Sequence, residues 1–330
     1  PRNGRTPNDG SSELRRPLRS AALSAGLLAL VGCGQPDAEF ETTPQGSPAA
    51  TSPGNLPGKS YERNFVFTTL LGDSTFVVPW LLETSTRPGT VVREARGLLN
   101  RNGMWEAFFA EEWETPPTRV PARVLPYGNL RLVVREGDAL EGIVFEEGSR
   151  NLEVALGTVL TEWVGPRGEV FQLLEGSLYL SDQRVSGMVL DMARGSSAES
   201  PRGGDWAFLT SGDSLQLVIE GTAEHDSEQS PGYLGWARLD FRDLQWHDLT
   251  VEWTETSAFQ PARRDVPTSW TISSTDGNVQ GTLEVTSANV TPGTGDGPIL
   301  PVRALFEVSG TFLIEERTFP VRGLFTHERR

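Results

Sequence analysis

Phe65-Val66-Phe67-Thr68-Thr69, followed by Gly72-Asp73-Ser74, returns later in the chain as Trp206-Ala207-Phe208-Leu209-Thr210, followed by Gly212-Asp213-Ser214. Working outward, Ala95-Arg96 recurs at Ala237-Arg238, Trp105 at Trp246, and Glu112-Trp113 at Glu252-Trp253. Pro121-Ala122-Arg123 recurs at Pro261-Ala262-Arg263, and Pro126 at Pro267, so the offset holds between 140 and 142. Leu152-Glu153-Val154 returns as Leu283-Glu284-Val285 at an offset of 131, which shortens one loop of the second copy. Each half then closes with a matching segment, residues 176–187 and residues 310–323, both expected to be hairpins. Blocks kept in one order at one spacing mark two equivalent domains. They are expected at residues 61–195 and 205–330, joined by a serine-, proline- and glycine-rich loop.

Both copies read as β-sheet. Leu215-Gln216-Leu217-Val218-Ile219 and Leu249-Thr250-Val251-Glu252-Trp253-Thr254 alternate, one side apolar and the other largely polar. The 35 glycines and 23 prolines cut the chain into short segments, with turns expected at Gly165-Pro166-Arg167-Gly168 and Asp276-Gly277-Asn278. Beyond residue 60 the best helical stretch is residues 93–101, and it is short. The expectation is an all-β chain of two tandem antiparallel units, barrels or strongly coiled sandwiches.

In the second copy, Asp205-Trp206-Ala207-Phe208-Leu209, Val266-Pro267-Thr268-Ser269-Trp270-Thr271-Ile272, Phe306-Glu307-Val308-Ser309-Gly310 and Gly323-Leu324-Phe325-Thr326-His327-Glu328 follow one another in order. This series resembles the C-terminal half of the double-lipocalin family, which includes the carotenoid 1,2-hydratases and AttH-like proteins. The resemblance implies two consecutive lipocalin-like antiparallel β-barrels; it covers about 125 residues directly and the first half through the repeat. Those hydratases carry a histidine and tryptophan near the domain junction. Here the junction reads Gly187-Met188-Val189-Leu190-Asp191-Met192-Ala193-Arg194-Gly195, with no histidine.

Upstream of the repeats, Leu30-Val31-Gly32-Cys33 places the chain's one cysteine directly after an apolar run. Arg15, Arg16 and Arg19 precede that run, which is too short to span a bilayer. The pattern predicts a lipoprotein signal peptide over residues 1–32, cleavage before Cys33, and a lipid on that cysteine. No aspartate follows Cys33, so the expected location is the bacterial outer membrane. Residues 33–60, rich in proline, glycine, serine and threonine, read as a flexible tether. Cleavage would remove five basic and two acidic residues, taking the net charge from −15 to about −18. So acidic a surface repels phosphate backbones and anionic headgroups, which argues against nucleic-acid binding and leaves membrane attachment to the lipid.

Chemistry is weakly signalled. Gly212-Asp213-Ser214-Leu215 matches the nucleophile block of a lipase and esterase family, but none of His225, His247 and His327 follows an aspartate by three residues. The first copy has Gly72-Asp73-Ser74 at the same place, so a turn explains both. Three scattered histidines give no metal-ligand spacing, and Gly293-Thr294-Gly295-Asp296-Gly297 falls short of a calcium loop; no metal or cofactor is expected. Glu112 with Arg123 and Glu252 with Arg263 read as structural ion pairs kept in both copies. Trp105, Trp113, Trp246 and Trp253 read as core aromatics or as walls of an apolar site. Trp246-His247-Asp248 differs from its counterpart Trp105-Glu106-Ala107 and so adds a titratable pair in one copy only. Neighbouring strand residues face opposite ways, so His247 and Asp248 cannot both point inward.

Since a small barrel encloses one apolar ligand, the expected function is binding of an apolar or amphipathic small molecule, a lipid or isoprenoid. The alternatives are a hydratase, isomerase or cyclase acting on such a molecule, and a structural envelope protein with packed barrels.

Overall fold

The computed structural model describes residues 59–71, 74–135, 139–181, 183–197, 204–222 and 232–329. Cys33, the tether through residue 58, Asp73 and His225 lie outside the described residues.

The first unit is one antiparallel sheet of nine strands: β1 (Ser60–Leu71), β2 (Ser74–Arg87), β3 (Thr90–Arg101), β4 (Met104–Thr115), β5 (Leu130–Val134), β6 (Leu140–Glu147), β7 (Arg150–Val164), β8 (Val170–Leu180) and β9 (Gln183–Ser196). Their order, β4-β3-β2-β1-β9-β8-β7-β6-β5, curls the sheet into a barrel whose seam, between β4 and β5, is left open. The second unit has eight strands: β10 (Trp206–Thr210), β11 (Leu215–Gly221), β12 (Tyr233–Leu239), β13 (Arg242–Phe259), β14 (Arg264–Ser274), β15 (Val279–Pro292), β16 (Val302–Ile314) and β17 (Arg317–Arg329). It closes completely, β10 pairing with β17. Residues 93–101, the expected short helix, lie in β3. Their apolar positions serve two cores, Ala95 and Leu99 inside the barrel and Leu98 outside it, as a strand buried on both faces requires.

Turn chemistry sets the hairpins. Asn102-Gly103 links β3 to β4 with both residues at positive φ (53° and 81°), the geometry a two-residue hairpin favours. At the β14–β15 turn, Asp276 Oδ1 accepts from the Asn278 N–H at 3.0 Å, and Gly277 has φ 73°. The β8–β9 and β16–β17 segments are both hairpins, as the matched closing blocks require.

Each barrel is filled at its centre by packed aromatic rings. In the first, Trp80 meets Phe108 edge-on at 5.0 Å and Phe109 at 5.7 Å. In the second, Trp270 stacks on Phe325 at 4.4 Å and meets Phe306 at 5.6 Å. A third core joins the barrels: Val66, Phe171 and Leu190 from the outer face of the first pack with Trp206, Phe208 and Trp236 from the outer face of the second. Burying each such side chain contributes about 2–3 kcal/mol. For this reason β10 and β11 are buried along their whole length and do not keep the one polar side that Leu215–Ile219 suggested. Gln216, at the face where water was expected, is fully buried and donates to the Gly212 carbonyl at 2.6 Å.

The duplication is present, but matching letters do not always share a face. Phe65 and Phe67 point into the first barrel, whereas Trp206 and Phe208, which match them in sequence, point out into the inter-barrel core. Ala207 and Leu209 fill the second barrel in their stead. An offset that is wrong by one residue reverses every side chain of a strand. Trp105 and Trp246 part in the same way, Trp105 packing between the barrels and Trp246 inside the second. Trp113 and Trp253 both face inward.

Candidate functional site

The polar groups that sequence alone did not connect sit where the first and last strands of each barrel meet. On β17 the inward positions run Phe319, Val321, Phe325, so His327 also points inward. Asp205 lies two residues before the inward Ala207 and meets it there. Asp205 Oδ1 is 2.9 Å from His327 Nδ1, and the Tyr233 hydroxyl donates to Asp205 Oδ2 at 3.2 Å. Both side chains of the Asp205–His327 pair are at most 1% exposed, and Trp253 meets the imidazole edge-on at 5.1 Å. Burial, then the adjacent Asp205 carboxylate, pushes the Tyr233 phenol well above its ordinary value. With Asp205 as the acceptor, Nδ1 is the ring nitrogen that donates.

The first barrel carries a pair at the same place. Arg63 donates from Nε and Nη2 to the two oxygens of Asp191 at 3.0 and 2.7 Å, a bidentate contact. Beside it on β8, Gln172 is buried and donates to Glu162. Arg93, on the inner face of β3 and only 3% exposed, donates to Thr115 Oγ1 at 3.2 Å, Thr84 Oγ1 at 3.4 Å and the Arg123 carbonyl at 2.8 Å. Burial lowers its guanidinium from the ordinary value.

Between the barrels lies a cavity of about 200 Å³, lined by Glu62, Asn64, Arg194, Trp206, Arg303 and His327 among others. Two of its lining residues, Glu62 and Arg194, belong to an ion cluster that runs on behind the wall: Arg194 bonds Glu62 and, at 3.2 Å, Glu220, while Arg167 bonds Glu169 and reaches Glu220 at 3.5 Å. Three carboxylates face two guanidinium groups here, and Glu220 is the most buried of them. Burial outweighs Arg194 and pushes Glu220 up to about 7, and its Oε2 has no hydrogen-bond partner. A second buried carboxylate at the junction, Glu307, is held by neutral donors: Thr75 at 2.6 Å, Ser287 at 2.9 Å and Asn100 at 3.1 Å.

The open seam of the first barrel forms the other notable hollow, about 440 Å³ in volume. Val120, Val124, Leu125, Leu132, Val134 and Leu140 form its apolar wall, with Arg63 and Arg123 at its edge. Trp113 stacks on Tyr127 at 4.6 Å with the rings parallel to within 1°, pinning the loop that crosses the seam. A wider groove of about 620 Å³ runs past Thr68, Tyr179, Arg184 and Asp213, with polar groups along much of its wall.

The residues singled out from sequence are placed as follows. Trp113 and Arg123 come together in a small hollow beside Arg93. Trp105 donates from Nε1 to Ser287 Oγ at 3.0 Å, a contact between barrels. Trp246 is half-buried against the core of the second barrel and Trp253 lies against His327. His247 and Asp248 are both exposed on β13. Glu112 and Glu252 are exposed on the outer faces of β4 and β13, while Arg263 donates to the Pro298 carbonyl at 2.9 Å. Pro121-Ala122-Arg123 and Pro261-Ala262-Arg263 do form the same corner, with Arg123 N–H donating to Val120 at 3.2 Å and Arg263 N–H to Gln260 at 3.1 Å. Sequence reasoning missed Asp205, His327, Arg63, Arg93 and Asp191. Strand alternation carried the signal for His327, two residues beyond Phe325, but not for its partner 122 residues away.

No family model matches the chain, and no curated protein matches it in sequence. Its fold is similar to that of an AttH-like protein of Nitrosomonas europaea, with a TM-score of 0.57 and 10% identity over 81% of this chain and 91% of that one. It is also similar to kievitone hydratase from Nectria haematococca, with a TM-score of 0.51 and 13% identity over 84% and 90%. CghA solved with Sch210972 gives a TM-score of 0.49 at 10% identity over 82% and 89%. At such identities the likeness is one of fold, and the fold of this chain is that of the double-lipocalin proteins, two consecutive lipocalin-like barrels in tandem.

Proposed function

We propose that the protein binds an apolar or amphipathic small molecule in the seam cleft of its first barrel, and that it does so as an exported, lipid-anchored envelope protein. The observation that carries this reading is the cleft itself, a hollow of about 440 Å³ walled by aliphatic side chains, two of which, Val120 and Val134, are exposed. Ligand sites have this makeup, mostly apolar with a few placed polar groups. The ring-filled barrel centres argue for a ligand at the seam in preference to one on the barrel axis. Anchoring through Cys33 rests on the signal pattern alone; Cys33→Ser is expected to release the protein from the membrane fraction and abolish labelling by a fatty acid, and a labelled, sedimenting variant overturns it.

Native mass spectrometry of the full chain mixed with bacterial lipid extract tests the binding. A bound species is expected on the wild type and is expected to be lost from Val134→Glu, which sets a charge in the cleft at a position already 56% exposed. Equal retention by the variant, or no bound species on either, refutes the cleft as the site.

A second reading, acid–base chemistry on a molecule held in the junction cavity and not in the seam cleft, is supported by the Asp205–His327 pair, because His327 is among the residues that line that cavity. A carboxylate-oriented imidazole can shuttle a proton, and the neighbouring fold from Nectria haematococca is named a hydratase. If a ligand gains the mass of one water on the wild type and not on His327→Gln, this reading stands; an unchanged ligand mass on the wild type removes it.

A further inference from the structure

The inner wall of the first barrel beside the seam concentrates cations in a protein whose net charge is −15. Arg63, Arg93 and Arg123 line one small hollow together with Glu83 and Glu94, and the chain through Ala122, Val124 and Leu125 lines both that hollow and the seam cleft, as does Arg63. The carboxylates on the same inner face are few. Asp191 is taken up by Arg63, and Glu162 is bonded by Gln172. Glu83 and Glu94 lie on the outer face of β2 and β3, bonded there to Arg96 and Arg303.

Arg93 is therefore a buried cation whose acceptors, Thr84, Thr115 and the Arg123 carbonyl, are all neutral. Its Nη2 and the Nη1 of Arg63 have no protein acceptor among the described residues. A buried guanidinium without a counter-ion is costly, and a planar carboxylate is the acceptor that two such N–H groups fit. We propose that the seam cleft takes an amphipathic monocarboxylate, its head group held by Arg63, Arg93 and Arg123 and its tail laid along Val124, Leu132, Val134 and Leu140. The inference rests on the binding reading above and adds the chemical class of the ligand. The lowered basicity that burial gives Arg93 acts in the same direction, since a bound anion would relieve it.

Calorimetric titration of the full chain with dodecanoate, dodecanol and dodecyltrimethylammonium separates the two levels of the argument. Dodecanoate is expected to bind about tenfold or more tightly than dodecanol, the margin of a charge-assisted hydrogen bond, and the cationic probe most weakly. Arg93→Met is expected to reduce dodecanoate affinity about tenfold while leaving dodecanol unchanged. Arg123→Gln, at an exposed position, is expected to weaken dodecanoate by a smaller factor. If dodecanol binds as tightly as dodecanoate, or if both variants bind dodecanoate like the wild type, the head-group assignment is wrong while the cleft remains a binding site. If none of the three probes binds, the cleft reading falls and this inference falls with it.

Discussion

The two barrels share a corner and then part company. In the second, the chain leaves Pro261-Ala262-Arg263 directly into β14, which pairs with the eighteen-residue β13 and shuts the cylinder. In the first, β4 ends at Thr115 and residues 116–129 pass through Pro116, Pro117, Pro121 and Pro126 before the five-residue β5 begins. Proline has no N–H to give to a ladder, so a run this rich in it cannot zip onto β4. One copy thus keeps its polar interior sealed around Asp205 and His327, and the other keeps Arg63 and Arg93 beside an opening. A duplicated scaffold has diverged: one barrel closes, one stays open at a seam.

The strongest test of that division is steric. A Cβ at Gly310 in the closed barrel would lie 1.8 Å from the Thr282 carbonyl oxygen, whereas one at Gly176 in the open barrel would meet a Val189 methyl at 2.4 Å. A methyl can rotate away and a carbonyl in a ladder cannot. Gly310→Ala is expected to lose about 4 kcal/mol in urea unfolding and Gly176→Ala about 1–2 kcal/mol. Equal losses would mean that the barrels are equally yielding.

Next in size is the ion cluster between them. Glu220 has its folded pKa raised to about 7 from an ordinary 4.5, so the protonated folded form is the favoured one. Its contribution is full below pH 4.5 and fades as the pH rises through 7, costing up to about 3 kcal/mol at alkaline pH. Glu220→Gln, which keeps a carbonyl oxygen for Arg194, should therefore gain on the wild type between pH 5 and 8. A constant difference across that range would show that Glu220 stays ionised.

Hydrogen exchange probes the seam itself. Amides of β5, an edge strand, are expected to exchange at least about tenfold faster than those of β14, its paired counterpart in the closed barrel. Matching protection would indicate that the seam closes in solution. The smallest effect belongs to Ser214, exposed in the β10–β11 turn, where Ser214→Ala should shift stability by less than about 0.5 kcal/mol and leave ligand binding intact. Loss of an esterase activity in that variant alone would restore the nucleophile reading.

Architecture was legible because repetition and alternation are written in order along the chain: the spaced blocks announce two domains, and Leu249 to Thr254 announce a half-buried strand. The site was not legible, because its members come from strands far apart in sequence. His247 drew notice by sitting next to Trp246 and Asp248, yet it is exposed; His327, whose bonded carboxylate Asp205 lies 122 residues away in the chain, is the buried one. The letter match of Phe65 with Trp206 failed for a related reason. Identity of residue type says nothing of which face a strand presents, and here the second copy has turned its large aromatics outward to grip the first.

That outward turn has a practical side. A surface bearing Trp206, Phe208, Trp236, Leu305 and Leu324 is tolerable only while the first barrel covers it. Cut from its neighbour, the second barrel would present a sticky apolar patch of the sort that drives self-association. The two copies behave less like beads on a string than like the halves of an obligate dimer that happen to share one backbone.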